Sequence, residues 1–483
     1  MKKTLILLIC SVSALISFAQ TSDWNNGGGN PARNGLANVD GPQKDSLLWQ
    51  ASPAGIFGMP MFIEGNKLVT MRFRSATNAP IVCYDLTTGE LLWQKEITGS
   101  TGRSLPIGFR NNQVYAVRFT ESLHDTLYAF NADDGSRLWT SETTVDPSIT
   151  ASATFASNGD FFIESYFKMN RINHLTGELI WNTPIMPFVL GHVELSVYNN
   201  TGYVLEQVSG GYAYVAAIDL ANGHKKYSHI INDTHPGGGL PQCPLMVGTD
   251  GTIYVQKQGD NITALTDDGS QLNLLWETEI FGNSPFSQMC IGSDGSVFAP
   301  SAGTIIKIDP LNGHIINTSE VISTHPDLFQ LRLSATQNDI VFATNGESTV
   351  YAFSLDLHEL WSDNVPDLNT SGAAIGSNGL IAVSGAHTVK VYTSAEFTAI
   401  SEVINNQWIE YYPNPVIDKL YLHFSNANLI SYNYNIYDQT GKVVLSGNLS
   451  DEINMIDLSN VSVGIYFLVV GDNVKQTFKV IKN

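Results

Sequence analysis

One short pattern recurs down the chain and limits its fold more than any other feature. IVCYDLTTGELLW ends at Trp93, TLYAFNADDGSRLW at Trp139 and KMNRINHLTGELIW at Trp181. VAAIDLANGHKKY ends at Tyr227, with tyrosine in the tryptophan place, and ITALTDDGSQLNLLW ends at Trp276 with extra residues in the turn. IIKIDPLNGHIIN ends at Asn317, and TVYAFSLDLHELW ends at Trp361 without its glycine. The alternating run Ile81-Val82-Cys83-Tyr84 reads as a half-buried strand. Asp85 can accept backbone N–H bonds and Gly89 can take a positive φ, which together make a turn. The return strand begins at Glu90, so each unit closes on a β-hairpin. Further turns, SNGD at 157–160, TDGT at 249–252 and SDGS at 293–296, supply earlier strands of their units. No long amphipathic helix interrupts the array.

A period in the forties, built from short strands, indicates the blades of a β-propeller. The array has loose ends that fit one another. Ser46-Leu47-Leu48-Trp49 is a fourth strand with no hairpin partner upstream, one period before Trp93. After Trp361 come GAAIGSNGLIAVSG and Thr388-Val389-Lys390-Val391-Tyr392, three strands' worth without a closing tryptophan. The N-terminal strand is therefore expected to complete the last blade and remove two open edges. That makes the chain all-β with an eight-bladed propeller. Seven blades is the alternative, because the sixth and eighth units are degenerate. The structural repeat comprises Trp49, Trp93, Trp139, Trp181, Trp276 and Trp361 with Gly89, Gly135, Gly177 and Gly223. A tryptophan repeated at one point of many blades is expected to pack between them rather than hold a ligand.

MKKTLILLICSVSALISFAQ has a basic start, a short apolar stretch and small residues at Ser17 and Ala19. It predicts a secretory signal peptide over 1–19, cut before Gln20. Cys10 lacks the small residue that a lipid-attachment site places before its cysteine. No other apolar run is long enough to span a bilayer. Acidic residues outnumber basic ones 45 to 25, for a net charge of −20. Nucleic acid and anionic membrane surfaces are thereby disfavoured as partners. The mature cysteines Cys83, Cys243 and Cys290 are widely spaced and odd in number, so they read as small buried apolar residues rather than a disulfide framework.

Beyond Thr393 a linker-like stretch leads to four short alternating segments, with turns at Pro413-Asn414-Pro415, Thr440-Gly441 and Gly464. A small Ig-like β-sandwich is expected there. The domain boundaries read as 1–19 signal peptide, 20–45 N-terminal lead-in, 46–393 propeller, 394–410 linker and 411–483 C-terminal domain.

The repeats resemble the pyrroloquinoline-quinone-type β-propeller repeat, and DWNNGGGNPARNG resembles the segment that precedes the first blade in such proteins. The tail resembles the type A C-terminal sorting domain of the type IX secretion system of Bacteroidetes-like bacteria. Its matching residues are Pro413, Asn414, Pro415, Asp438, Gly441, Gly464, Tyr466 and the closing Lys479-Val480-Ile481-Lys482. That resemblance implies handling by the type IX machinery and a mature protein secreted or held on the outer-membrane surface of a Gram-negative cell.

Residues for chemistry are scarce. Quinone-dependent alcohol dehydrogenases with such repeats are expected to carry a vicinal cysteine pair, and no Cys-Cys occurs here. No cofactor is predicted. Ca²⁺ is conceivable at the acidic turns holding Asp133 and Asp134, or Asp267 and Asp268, but neither has a calcium-loop spacing. Turn capping is the simpler reading. Two loops share Thr-His-Pro, at Thr234-His235-Pro236 and Thr324-His325-Pro326, without a further ligand at metal spacing. Rim loops remain the expected functional surface. The candidates are Phe109-Arg110-Asn111-Asn112, Ser209-Gly210-Gly211-Tyr212 and residues 235–242. The expected function is a non-catalytic scaffold for an extracellular protein or glycan. An extracellular enzyme acting on polysaccharide, or a quinone-dependent dehydrogenase, is the alternative.

Overall fold

The computed structural model describes residues 23–51, 61–72, 78–97, 102–119, 125–145, 152–165, 167–185, 194–208, 212–231, 245–256, 261–282, 287–326, 330–366, 372–385, 388–394, 409–424, 432–438, 441–451, 453–470 and 476–483. The signal peptide and nearly all of the linker lie outside these residues. Every regular element described is a β-strand. The chain divides into two compact units, Met1–Ala395 and Glu396–Asn483.

Eight sheets make up the first unit among the described residues. The first is a meander of Phe62–Glu64, Lys67–Met71, Ile81–Asp85 and Leu91–Lys95. Five more meanders follow, beginning at Gly102–Arg110, Thr154–Phe155, Ser196–Tyr198, Met246–Val247 and Cys290–Ile291. The seventh begins at Arg332–Thr336 and ends at Glu359–Asn364. The eighth holds Ala374–Ile375, Ile381–Ser384 and Val389–Tyr392, and its fourth strand comes from the other end of the sequence. Leu47–Ala51 pairs antiparallel with Val389–Tyr392, Leu47 facing Tyr392 and Ala51 facing Val389.

Burial runs from inside to outside across each sheet. Lys67–Met71 and Ile81–Asp85 are almost wholly buried, whereas Leu91–Lys95 buries only its central residue, Trp93. The apolar core consequently lies in slabs between neighbouring sheets. One slab sets Phe62, Val69, Cys83 and Trp93 of the first sheet against Phe109, Val114, Phe130 and Ala132 of the second. A strand buried on both faces cannot alternate strictly, which is why Ile81-Val82-Cys83-Tyr84 is apolar throughout.

The second unit has a three-stranded sheet of Ile409–Tyr412, Lys419–Phe424 and Ile453–Asp457. It also has a four-stranded sheet of Tyr432–Tyr437, Val443–Leu449, Gly464–Val470 and Gln476–Lys482. Leu420, Leu422 and Ile456 of the one share a core with Ile436, Leu468 and Val480 of the other.

Candidate functional site

The innermost strands converge on an axis, and the chain's own residues 24–39 run through it. Successive carbonyls of this segment serve different sheets. Trp24 O accepts from Ile63 N (2.9 Å) and Asn25 O from Phe109 N (3.2 Å). Pro31 O accepts from Val197 N (2.8 Å), Ala32 O from Val247 N (2.9 Å), Asn34 O from Ile291 N (2.8 Å) and Gly35 O from Ala335 N (2.8 Å). Inner-strand N–H groups that would otherwise be buried without acceptors are thus satisfied. The asparagines add donors: Asn25 Nδ2 bonds Phe109 O at 2.6 Å and Asn34 Nδ2 bonds Val247 O at 2.9 Å. Leu36–Ala37 then joins the seventh sheet as a parallel strand. Gly29, at φ +86°, lies against the indole of Trp24, where a Cβ would stand 2.7 Å from the ring.

Arg33 is the only basic residue of the axial stretch 24–39 and is 1% exposed. It fills the axis beside the third and fourth sheets. Nη1 meets Glu194 Oε2 at 2.7 Å, Nη2 donates to Ser152 O at 2.7 Å, and Nε donates to Thr154 Oγ1 at 3.0 Å. Glu194 Oε1 in turn accepts from Ser152 N and Ser152 Oγ. Burial pulls the guanidinium below its usual pKa, and Glu194 acts against that pull. The pair is a satisfied structural anchor. A lone arginine in an Asn/Gly-rich run was its one sequence signal.

The repeat residues occupy the seams between sheets. Trp93 is 8% exposed, and its Nε1 donates to Ala132 O of the next sheet at 2.8 Å. Trp49, Trp139, Trp181 and Trp276 donate to Leu86, His174, Leu220 and Pro310 O in the same way. Beneath each indole lies the turn glycine of the following sheet: Gly89 under Trp49, Gly135 under Trp93, Gly177 under Trp139, Gly223 under Trp181. Trp361 donates to Pro42 O of the lead-in at 3.0 Å. Tyr227 cannot copy this contact. Its hydroxyl reaches Asp267 Oδ1 at 2.5 Å, while Tyr203 OH takes Oδ2 at 2.7 Å. Asn317 Nδ2 donates to Asp356 O at 2.6 Å, and the turn it meets carries Leu357 at φ +60° instead of glycine.

The turn formed by Phe109, Arg110, Asn111 and Asn112 is consumed by a neighbour. Glu64 of the first sheet accepts Asn111 N at 2.6 Å and Asn112 N at 2.7 Å. Burial raises the pKa of Glu64, opposed by these two N–H donors. Lys67 bridges Asn112 and Asp133, and Asn112 Nδ2 also bonds Asp133. This candidate is therefore a structural tie between the first two sheets rather than an open rim surface, because its polar groups face Glu64 and Asp133. Thr324 and His325 adjoin Glu347, whose Oε1 accepts Ser323 Oγ and Thr324 N. Ser209-Gly210-Gly211, Thr234-His235-Pro236, residues 235–242 and Cys243 lie outside the described residues, as does the side chain of Tyr212.

Asp160, which ends the SNGD turn, gathers a charged cluster around it. It pairs with Arg171 Nη2 at 2.8 Å and His174 Nδ1 at 3.1 Å. Burial acts to raise its pKa, but Asn158, His174 and Arg171 outweigh that and hold it low. Asp134 Oδ1 accepts Ser136 N, and Asp268 Oδ1 accepts Ser270 and Gln271 N–H, so these acidic turns cap themselves. Among the described residues, no three His, Cys, Asp or Glu side chains gather as a metal site. Cys83 and Cys290 are buried in different sheets. Burial pushes the Cys83 thiol up to about 12. The two thiols are therefore not a vicinal pair.

In the second unit, Asn414 Nδ2 donates to Lys479 O (2.8 Å), and its Oδ1 accepts Ile481 N (2.7 Å). Pro413 and Pro415 on either side are exposed. Gly441, at φ +81°, closes a turn to Asp438 O. Gly464 opens the strand that carries Tyr466, whose hydroxyl donates to Ser462 O at 2.7 Å.

Two family profiles match the chain. One, described as outer membrane protein assembly factor BamB, matches residues 34–242. The other, a secretion system C-terminal sorting domain, matches residues 410–483. No curated protein matches the sequence significantly. Among solved structures, BamB from Moraxella catarrhalis is 12% identical, with a TM-score of 0.55, over 72% of this chain and 99% of that one. A quinohemoprotein alcohol dehydrogenase from Comamonas testosteroni is 13% identical, with a TM-score of 0.58, over 83% of this chain and 84% of that one. At such identities the likeness establishes the fold alone. The chain is thus a β-propeller of BamB-like pyrroloquinoline-quinone-type repeats ending in a type IX sorting domain, which marks it for the cell surface or the extracellular space.

Proposed function

We propose that the exported propeller is a non-catalytic scaffold that binds an extracellular protein or glycan. The axial segment carries this reading. It fills the ring at the end where the first and second strands of each sheet turn, and the charged clusters there are already paired with one another. Connections between sheets leave from the opposite end and differ widely, as between Lys95 and Gly102 and between Ile230 and Met246. Unlike connections on a rigid frame suit recognition. No cofactor enters the proposal. A glycan and surface-protein array, run alongside a polysaccharide turnover assay, tests it. Saturable binding without turnover is expected. Product release from a bound polysaccharide would instead establish the enzymatic alternative. Replacing residues 232–244 by a Gly/Ser linker should lower binding at unchanged melting temperature if that connection takes part.

A further inference from the structure

Gln476–Lys482 lies at the border of its sheet. One edge pairs with Gly464–Val470 in continuous register, Gly464 facing Lys482 and Val470 facing Gln476. The other edge would be an open ladder, ready to pair with any extended chain. Residues 413–416 cover its last part instead, from Lys479 to Asn483. Val416 N donates to Ile481 O (2.7 Å), Asn483 N donates to Val416 O (2.9 Å), and the carboxamide of Asn414 takes Lys479 O and Ile481 N. Two of these four bonds thus come from a side chain where a strand would use its backbone. Pro413 and Pro415 have no N–H, so the covering segment offers no ladder of its own. Only Val416 is buried; Tyr412, Pro413, Asn414, Pro415 and Ile417 are exposed. A single apolar anchor holds this strap.

We infer that residues 413–416 are a releasable strap, and that export requires its displacement by an extended strand of the secretion machinery pairing along Gln476–Lys482. Such a strand would satisfy the same outward groups through backbone bonds alone, a mode that recognises an edge with little demand on side chains. The inference rests on the sorting-domain assignment.

The test is a lock placed in the full-length chain, in a cell carrying the type IX system. Val416 and Lys482 are bridge partners with buried side chains. V416C/K482C, oxidised, should keep the parent's melting behaviour yet fail to reach the surface, and a reductant should restore its export. The single-cysteine variants should be exported normally. N414A, which frees the strap, should be exported at least as well as the parent. Normal export of the oxidised double variant would overturn the inference. So would a folded N414A that is not exported, since the closed strap would then be what is read. If the double variant misfolds, N414A decides. Export of a chain lacking residues 411–483 would sink the sorting assignment itself, a separate outcome.

Discussion

Trp93 and Gly135 act as one device although they belong to different repeats. The indole covers the glycine and donates across the seam, so the motif legible within one repeat does its work between two. Trp93→Ala should cost roughly 3–5 kcal/mol in chemical denaturation, from lost burial, a cavity and an abandoned carbonyl. A near-neutral result with lost ligand binding would make Trp93 a binding residue. Glycines give a sharper contrast. Both Gly135 (φ +68°) and Gly269 (φ +87°) are strained for other residues. A Cβ on Gly135 would stand 2.9 Å from Trp93, whereas one on Gly269 meets nothing within 4 Å. Alanine at Gly269 should cost only the backbone term, about 1–2 kcal/mol. Alanine at Gly135 should cost clearly more, and equal losses would show that the indole does not press on the turn.

At the level of the element, the two departures from the repeat explain each other's neighbours. Asn317 leaves no indole to cover the next turn, and that turn has lost its glycine. Tyr227 cannot reach as tryptophan does, and Asp267 answers it together with Tyr203. Burial acts to raise the Asp267 carboxyl, but the phenols of Tyr227 and Tyr203 and the Gly269 N–H outweigh it, so its pKa lies below the ordinary value. A depressed carboxylate stabilises the fold above the unfolded pKa, and the contribution fades as pH falls through the folded one. Asp267→Asn should therefore cost about 1 kcal/mol at pH 7, discounted for partial exposure, with the gap to the parent closing in strong acid. Melts from pH 7 down to about 3 check it. A gap that does not narrow would mean that the carboxylate's charge plays no part in the seam. Each strand and its turn were legible in sequence, though Ile81-Val82-Cys83-Tyr84, which reads as half-buried, is buried on both faces. Which residue of one sheet answers which of the next was not, because that contact crosses a gap of some forty residues.

For the whole molecule, two features near the N-terminus hold the ring. Leu47–Ala51 completes the eighth sheet, and residues 24–39 bond the inner strands of the others. Arg33→Ala would leave Glu194 buried without its cation and should lower stability by about 3–5 kcal/mol. Combining Arg33→Met with Glu194→Leu should recover most of that loss, measured by thermal unfolding. A double variant as unstable as the single one would show that the charge pair itself, not its imbalance, holds the axis. A chain starting at residue 52 should unfold at lower temperature and less cooperatively. Adding a peptide of residues 23–51 should restore the transition, and an unaffected truncated chain would mean that closure is dispensable.

By itself, the sequence determined the all-β class, the repeat and its seam tryptophans, the pairing of the two loose ends and the sorting tail. Each rests on local periodicity or on a motif short enough to see in one line. Tertiary structure alone decided that the Asn/Gly-rich lead-in runs along the axis, that Arg33 finds Glu194 there, and that Asn414 secures the final strand. Those contacts join residues far apart in the chain. Backbone carbonyls and carboxamides carry no record of their distant partners until the sheets bring the donors to them.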